Sequence, residues 1–125
     1  MKEAIISEKA PAAIGPYSQA IKTGNLIFCS GQLPIDRATG EMPEGIKEQT
    51  RRSLENVKHI LAEEGLGIDN VVKTTVLLAD MSLFAEMNEV YGETFSQPFP
   101  ARSAFAVKAL PMGALVEIEV IATLS

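Results

Sequence analysis

The chain has 125 residues, of which 46% are hydrophobic and 22% are charged, a composition typical of one globular domain spanning residues 1–125. It has no run of about 18 apolar residues, which argues against a transmembrane helix, and its N-terminus lacks the apolar run of a signal peptide. The net charge of −5 and the scarcity of clustered Lys and Arg argue against a protein that holds nucleic acid.

The first part of the chain is predicted to hold three short strands and a long loop. Residues 2–6 indicate a strand. Residues 17–22 and 26–30 are predicted to form a hairpin, because Gly24 tolerates the positive φ that a tight turn requires. Gly, Pro and polar residues dominate 36–45, which predicts an exposed loop.

Two helices with a strand between them are predicted next. The first covers 45–64, because apolar residues recur at helical spacing and Gly65 favours its end. Residues 69–79 are rich in Val and Thr and indicate a strand. The second helix covers 80–95 and is capped by Asp80 or by the serine two residues later. Its predicted core-facing residues are Phe84, Met87, Tyr91 and Phe95.

The stretch from Pro98 to Leu124 alternates in polarity on both sides of Pro111-Met112-Gly113. This pattern predicts two strands joined by a turn at that point. If the turn is centred on Met112 and Gly113, the two apolar faces coincide. The pairs on that apolar face are then Val107 with Ile118 and Phe105 with Val120.

The other face of this predicted hairpin carries Arg102, Glu117 and several alanines. It has room to bind a small molecule, but the pattern alone favours a solvated face with a Lys108–Glu117 pair across the strands. In this register Arg102 and Glu117 lie ~20 Å apart in one chain. If they serve one site, we expect them to come from neighbouring subunits.

The predicted order of elements is β-β-β-α-β-α-β-β. This order indicates an α+β fold with two helices on one face of a mixed sheet. The strand over 69–79 is apolar enough to be buried on both faces, and two helices cover only one. We therefore expect the chain to self-associate.

Several familiar catalytic devices are missing. The single histidine, His59, is predicted to lie on a helix surface, and no zinc ligand set can be assembled. The single cysteine, Cys29, lies in an apolar run and is predicted to be a buried, inert thiol. A lone cysteine suits a reducing compartment, so we expect the cytoplasm.

The remaining chemistry centres on two charged residues. Arg102 can grip a carboxylate with two parallel hydrogen bonds. Glu117 can orient a water molecule or transfer a proton if partial burial keeps its pKa near the working pH. Such a set suits the addition of water to an electrophilic carbon in a small acid.

Four motifs resemble the RidA/YjgF family, and the resemblance extends over nearly the whole chain. The motifs are Gly15-Pro16-Tyr17-Ser18-Gln19-Ala20, Ser30-Gly31-Gln32, Pro100-Ala101-Arg102-Ser103 and Glu117-Ile118-Glu119. The resemblance implies a chorismate-mutase-like fold, a homotrimer with sites between subunits, and no metal or organic cofactor.

The resemblance also implies a 2-iminobutanoate/2-iminopropanoate deaminase. Such an enzyme hydrolyses imines that arise from pyridoxal-phosphate-dependent serine and threonine dehydratases, before the imines damage pyridoxal enzymes. Arg102 matches the family's arginine that binds the substrate carboxylate, and Glu117 matches the glutamate that positions the attacking water. The positions that match pocket-lining residues are Tyr17, Ser30, Gly31 and Asn88.

Some alternatives stay open. Many family members have cysteine where this chain has Ala104, so a thiol function at this position is in doubt. Without the resemblance, Tyr17 and Ser30 could be ordinary strand residues, and Asn88 a residue at a polar helix boundary. A non-catalytic module that binds keto acids would use Arg102 without Glu117. A ribonuclease or translation inhibitor is a third reading, against which the acidic charge argues.

Overall fold

The computed structural model describes all 125 residues, which form a six-stranded mixed sheet with two α-helices on one face. The strands are β1 (Lys2–Ile5), β2 (Ala20–Thr23), β3 (Leu26–Gln32), β4 (Val71–Leu78), β5 (Ala101–Ala106) and β6 (Val116–Thr123). The helices are α1 (Ile46–Ala62) and α2 (Phe84–Thr94). The predicted α+β class and the predicted order of elements are confirmed.

The helix ends follow the local sequence. Gly45 and Gly65 flank α1 with φ values of +83° and +70°, a region of backbone conformation that glycine enters without a steric penalty. Asp80 accepts a hydrogen bond from the Ser82 amide (2.8 Å) at the short 3₁₀ turn that leads into α2. The predicted end of α1 at Gly65 is confirmed. The predicted start of the second helix at residue 80 is wrong, because Asp80 caps the 3₁₀ turn Met81–Leu83 and α2 itself begins at Phe84.

The strand order β1-β2-β3-β6-β4-β5 differs from the prediction at one point. The predicted hairpin between 98 and 124 is wrong, because β4 lies between β5 and β6. It pairs in parallel with β5 and antiparallel with β6. As a result Arg102 pairs with Thr74, and Glu117 pairs with Leu77 rather than with Lys108.

The segment 107–115 explains how β5 and β6 are joined without being paired. It crosses over the end of β4, where the Val107 amide donates to the Leu78 carbonyl and the Ala79 amide donates to the Leu115 carbonyl (2.9 Å each). Alternating polarity identifies the faces of a strand but not its neighbour. The predicted facing pairs on the apolar side are therefore also wrong, and Phe105 is 48% exposed.

One further strand boundary was wrong. The strand predicted over 17–22 begins only at Ala20, and Tyr17 lies in the loop before it. That loop is held by buried Gln19, which contacts the backbone of residues 7–11.

The hydrophobic core lies between the sheet and the two helices. It is built from the alternate residues of β3, β4 and β6 together with the apolar stripe of α1. Ile118 in β6 and Leu61 in α1 are both 0% exposed. Buried Asn56 in α1 donates to the carbonyls of Leu33 and Ile35 (2.9 Å each), so the loop before α1 is fixed to the same core.

The other face of the sheet, here called the open face, is not covered by any element of the chain. Its residues include Phe28, Leu77, Phe105, Glu117, Glu119 and Ile121. Phe28 is 43% exposed and sits opposite Ile121 in the β3–β6 register. Self-association remains a prediction, and this apolar surface is a reason to keep it. Neither helix has the length and apolar character needed to cross a membrane.

The core position of Ile118 gives a direct test of the fold. Ile118→Ala is expected to lower the free energy of unfolding by about 2–5 kcal/mol, because it removes buried apolar atoms and leaves a cavity. Ile6→Ala is the matched control, because Ile6 is 73% exposed, and its effect should stay within about 0.5 kcal/mol. Denaturant unfolding at one protein concentration measures both, and equal effects would contradict the described core.

Candidate functional site

The site residues predicted from the sequence fall into two groups on opposite faces of the sheet. Arg102 pairs in register with Thr74, whose buried side chain lies under α2, so Arg102 is on the helix side. Glu117 lies between Val116 and Ile118, both buried on the helix side, so its side chain is on the open face. The ~20 Å separation on one face was derived from the wrong hairpin, and the structure replaces it with separation across the sheet.

The arginine cluster consists of Arg102, Asn88, Tyr91 and Phe84. The Arg102 Nη1 donates to Asn88 Oδ1 (2.6 Å). The guanidinium carbon lies 4.7 Å from the centre of the Tyr91 ring and 5.4 Å from that of Phe84. Three residues of one helix thus hold the arginine, since positions 84, 88 and 91 fall on one helical face.

A cavity of about 440 Å³ adjoins this cluster. Its lining residues are Asn88, Tyr91, Gly92, Phe99, Pro100 and Arg102. Because Asn88 occupies only one terminal nitrogen of the guanidinium, its other donors remain for an anion. The sequence correctly placed Tyr91 on the core side of α2 but did not reveal its contact with Arg102. The spacing of Asn88 and Tyr91 along the helix is the signal that could have shown it.

The glutamate cluster consists of Glu117, Gly31 and Ser30. Ser30 and Gly31 lie where the β3–β6 register shifts, with one extra residue in β3. A Cβ built on Gly31 would lie 2.8 Å from Glu117 Cδ, so the carboxyl group occupies space that any larger residue at position 31 would fill. The Ser30 hydroxyl donates to the Ser18 carbonyl (2.6 Å).

Tyr17 stands beside this cluster in a cavity of about 630 Å³. It is 54% exposed and shares the cavity with Gly31, Ile14 and Met112. Met112 has a φ of +59°, which is uncommon for a residue with a side chain. Tyr17 lies in the loop before β2, so this loop, and not a strand, positions its exposed ring.

Gln19 anchors the loop that carries Tyr17. Its Oε1 accepts from the Ser7 amide (2.7 Å), and its Nε2 donates to the Pro11 carbonyl (2.7 Å). Arg37 Nη1 donates to the nearby Ala10 carbonyl (2.7 Å). Gln19 belongs to the motif around Tyr17, but its residue type alone did not reveal that it fixes the loop.

Electrostatics distinguish Glu117 from an ordinary surface carboxylate. Burial raises the pKa of Glu117 above its usual value, and the negative charge of Glu119 two residues along the strand raises it further. A carboxylate with a raised pKa is a better proton acceptor near neutral pH than a fully solvated one. The electrostatics thus suit the predicted function of Glu117 as a proton acceptor.

Two other titratable residues lie where the sequence predicts, Cys29 in the core and His59 on α1. Burial raises the pKa of Cys29 to about 12, so its thiol stays protonated at neutral pH. His59 lies on α1 near Glu55 (3.8 Å). No group of three or more His, Cys, Asp or Glu side chains is placed to hold a metal ion.

The structure thus brings together some predicted site residues and not others. It joins Arg102 with Asn88, and it joins Glu117 with Gly31. It does not join Arg102 with Glu117 within one chain. Ala104 lies next to Arg102 on the helix side and packs partly against the core.

The family model described as Endoribonuclease L-PSP matches residues 7–124. A RutC family protein of Pyrococcus abyssi is 57% identical over 97% of this chain and 96% of its own length. The 2-iminobutanoate/2-iminopropanoate deaminase of Mus musculus is 48% identical over 98% of this chain and 91% of its own length. The chain belongs to the RidA/YjgF family.

The fold comparison supports this membership of the RidA/YjgF family. The crystal structure of E. coli TdcF with bound serine superposes with a TM-score of 0.93 and is 42% identical. The match covers 98% of this chain and 99% of the TdcF chain. The four short motifs therefore identified the RidA/YjgF family correctly, and the similarity extends over the whole fold.

The raised pKa of Glu117 predicts that this residue destabilises the folded protein at neutral pH. Below the pKa that Glu117 has in the unfolded chain, its carboxyl group is protonated in both states and does not destabilise the fold. As the pH rises through the raised pKa of the folded state, that stability is lost and the free energy of unfolding falls. Glu117→Gln is therefore expected to raise the free energy of unfolding at pH 7 and to have less effect near pH 4.

Denaturant unfolding between about pH 4 and pH 8 checks this expectation. Glu8→Gln, at an exposed glutamate, is the control and should change the free energy of unfolding by less than about 0.5 kcal/mol. A Glu117→Gln variant that is no more stable than the wild type at pH 7 would contradict the raised pKa.

Proposed function

We propose that this protein hydrolyses reactive 2-imino acids, such as 2-iminobutanoate and 2-iminopropanoate, to 2-keto acids and ammonia. The observation that carries the proposal is the 48% identity to a protein named for this activity across 98% of the chain. The two clusters contain the groups that this reaction needs, an arginine for the carboxylate and a glutamate of raised pKa for water.

Arg102 binds the substrate carboxylate in this proposal. A guanidinium forms two parallel hydrogen bonds with a carboxylate, and its contacts with α2 already fix its position. A related protein, E. coli TdcF, has been crystallised with bound serine, which also carries a carboxylate beside a nitrogen-bearing carbon. This ligand supports a substrate of the 2-amino or 2-imino acid type.

Glu117 acts on the attacking water. It accepts a proton while the water oxygen bonds to the imine carbon and passes that proton to the nitrogen, which gives a carbinolamine. It then accepts the hydroxyl proton of the carbinolamine and passes it to the nitrogen as the carbon–nitrogen bond breaks and the carbonyl forms. The imine and one water thus become a keto acid and ammonia. The raised pKa of Glu117 suits both steps, because the group must accept and then release a proton.

The complete site requires more than one subunit in this proposal. Arg102 and Asn88 lie on the helix side, whereas Glu117 lies on the open face with Gly31. We propose a homotrimer in which the first pair comes from one subunit, and Tyr17, Ser30, Gly31 and Glu117 come from its neighbour. The uncovered apolar residues of the open face are the surface that such an assembly would bury.

The proposed substrates arise when pyridoxal-phosphate-dependent dehydratases act on serine and threonine, so the proposed location is the cytoplasm.

A keto-acid-binding module without catalysis is the second candidate, favoured by the bound serine in TdcF. A nuclease is the third candidate function, because the matching family model is described as Endoribonuclease L-PSP. The net charge of −5 and the single histidine weigh against a nuclease.

The main test couples the purified protein to a threonine dehydratase and follows the disappearance of the imine. The wild type should accelerate imine loss, and Glu117→Gln should lower turnover by about 100-fold or more because the proton acceptor is removed. Arg102→Ala should lower kcat/KM by a similar factor, since the carboxylate loses its partner. Glu117→Gln should still bind a keto acid.

The controls match each change on the outer surface of α1. Arg51→Ala and Glu55→Gln alter residues whose ion pairs lie on the helices, and both should keep wild-type turnover. A wild type that does not exceed the buffer rate would overturn the enzyme proposal in favour of the binding module. An Arg102→Ala variant with unchanged kcat/KM would overturn the carboxylate role.

Sharing of the site between subunits predicts complementation. Arg102→Ala and Glu117→Gln are each expected to be inactive alone. In a mixed assembly, some sites combine the Arg102 of a Glu117→Gln chain with the Glu117 of an Arg102→Ala chain. Co-refolding equal amounts should restore about a quarter of the wild-type activity, because that fraction of randomly formed interfaces has both groups. A mixture of Glu117→Gln with the wild type is the reference, because it shows how far an inactive chain lowers the activity when the assembly also contains intact chains. No recovery in the mixture would show that both groups act within one chain.

A further inference from the structure

The contacts beneath Arg102 point to a function for a residue pair outside the proposed catalytic set. We propose that Tyr91, held in place by Thr74, is a positioning residue that fixes the guanidinium of Arg102 for the substrate carboxylate. The inference rests on the proposed function, since it assigns Tyr91 and Thr74 a positioning role at the proposed substrate site.

Tyr91 connects α2 to two strands at once. It is only 5% exposed, and its hydroxyl forms a 2.7 Å hydrogen bond with Thr74 Oγ1. Its ring lies 4.7 Å from the guanidinium carbon of Arg102. Thr74 and Arg102 are themselves register partners in β4 and β5. This register pair therefore provides both the arginine and the Thr74 hydroxyl group that anchors the Tyr91 ring next to the arginine.

The ring has little freedom to move. Thr74 is 0% exposed, so its hydroxyl has no access to water and depends on Tyr91. The Phe95 ring packs against Tyr91 with 4.5 Å between ring centres. A phenylalanine at position 91 with a valine at position 74 would fill a similar volume without polar atoms. The hydroxyl pair instead defines where the ring sits along the sheet.

Fixing the arginine matters because its side chain is long. A free arginine loses rotamer entropy when it is immobilised by a ligand. Stacking on an aromatic ring stabilises the guanidinium and holds the planar group in one orientation. An arginine already held by Tyr91 and Asn88 has less entropy left to lose when the carboxylate binds.

The test uses Thr74→Val, Tyr91→Phe, their double variant and Tyr91→Leu. Binding of pyruvate is measured by calorimetry, and kcat and KM by the imine assay. Tyr91→Leu should weaken pyruvate binding and raise KM by about tenfold, because it removes the ring beneath the guanidinium. We expect kcat to change less than about twofold, since the carboxylate stays bound throughout the reaction.

The hydroxyl pair predicts a coupled effect. Thr74→Val and Tyr91→Phe should each raise KM by about threefold, and the double variant no further, because both remove one hydrogen bond. Heteronuclear relaxation of the Arg102 Nε–Hε group should show more motion in all of these variants. Both single changes conserve volume, so the test does not depend on whether Tyr91→Leu folds.

Thr94→Val is the matched control. Thr94 also lies in α2, but its hydroxyl donates to the Val90 carbonyl (3.0 Å) of the same helix. Its KM and Arg102 mobility should equal those of the wild type.

Unchanged Arg102 mobility and KM in Thr74→Val and Tyr91→Phe would overturn the inference, as would a loss of kcat at constant KM. Failure of the wild type to bind pyruvate or hydrolyse imine would overturn the proposed function instead. The Arg102 mobility measurement still decides the positioning in that case.

Discussion

The hydrogen bonding of β4 to both β5 and β6 is the constraint on which the arrangement of this protein depends. β4 is buried beneath the helices through Thr74, Val76 and Leu78, each 0% exposed. Its parallel pairing with β5 places Arg102 against α2, while its antiparallel pairing with β6 places Glu117 on the opposite side.

Each cluster is prepared for its chemistry by a different physical means. The arginine is held by stacking and by one hydrogen bond from residues of a single helix, so its geometry depends on how α2 docks. The glutamate owes its raised pKa to burial and to a neighbouring negative charge, so its state depends on the sheet itself. The lack of a side chain at Gly31 leaves room for its carboxyl group.

Much of the fold could be predicted from the sequence, because helices and strands have distinct periodicities. The stripe on α1 and the glycine at its end gave its limits closely, and the alternation in β6 gave its two faces correctly. Strand pairing could not be predicted in the same way. The polarity of 98–124 satisfies a hairpin as well as two strands separated by β4, and only the need to bury β4 distinguishes them. The motifs identified the family and the candidate residues, yet the contact of Tyr91 with Arg102 depends on the docking of α2.

The opposite placement of the two clusters has a consequence for how such a protein responds to its concentration. Under the proposed arrangement an isolated chain carries two incomplete sites, one on each side of its sheet. Dilution below the assembly constant would silence the protein without unfolding it, and activity per chain would report the assembled fraction. Quaternary structure would then act as the switch between an inert folded subunit and a working catalyst.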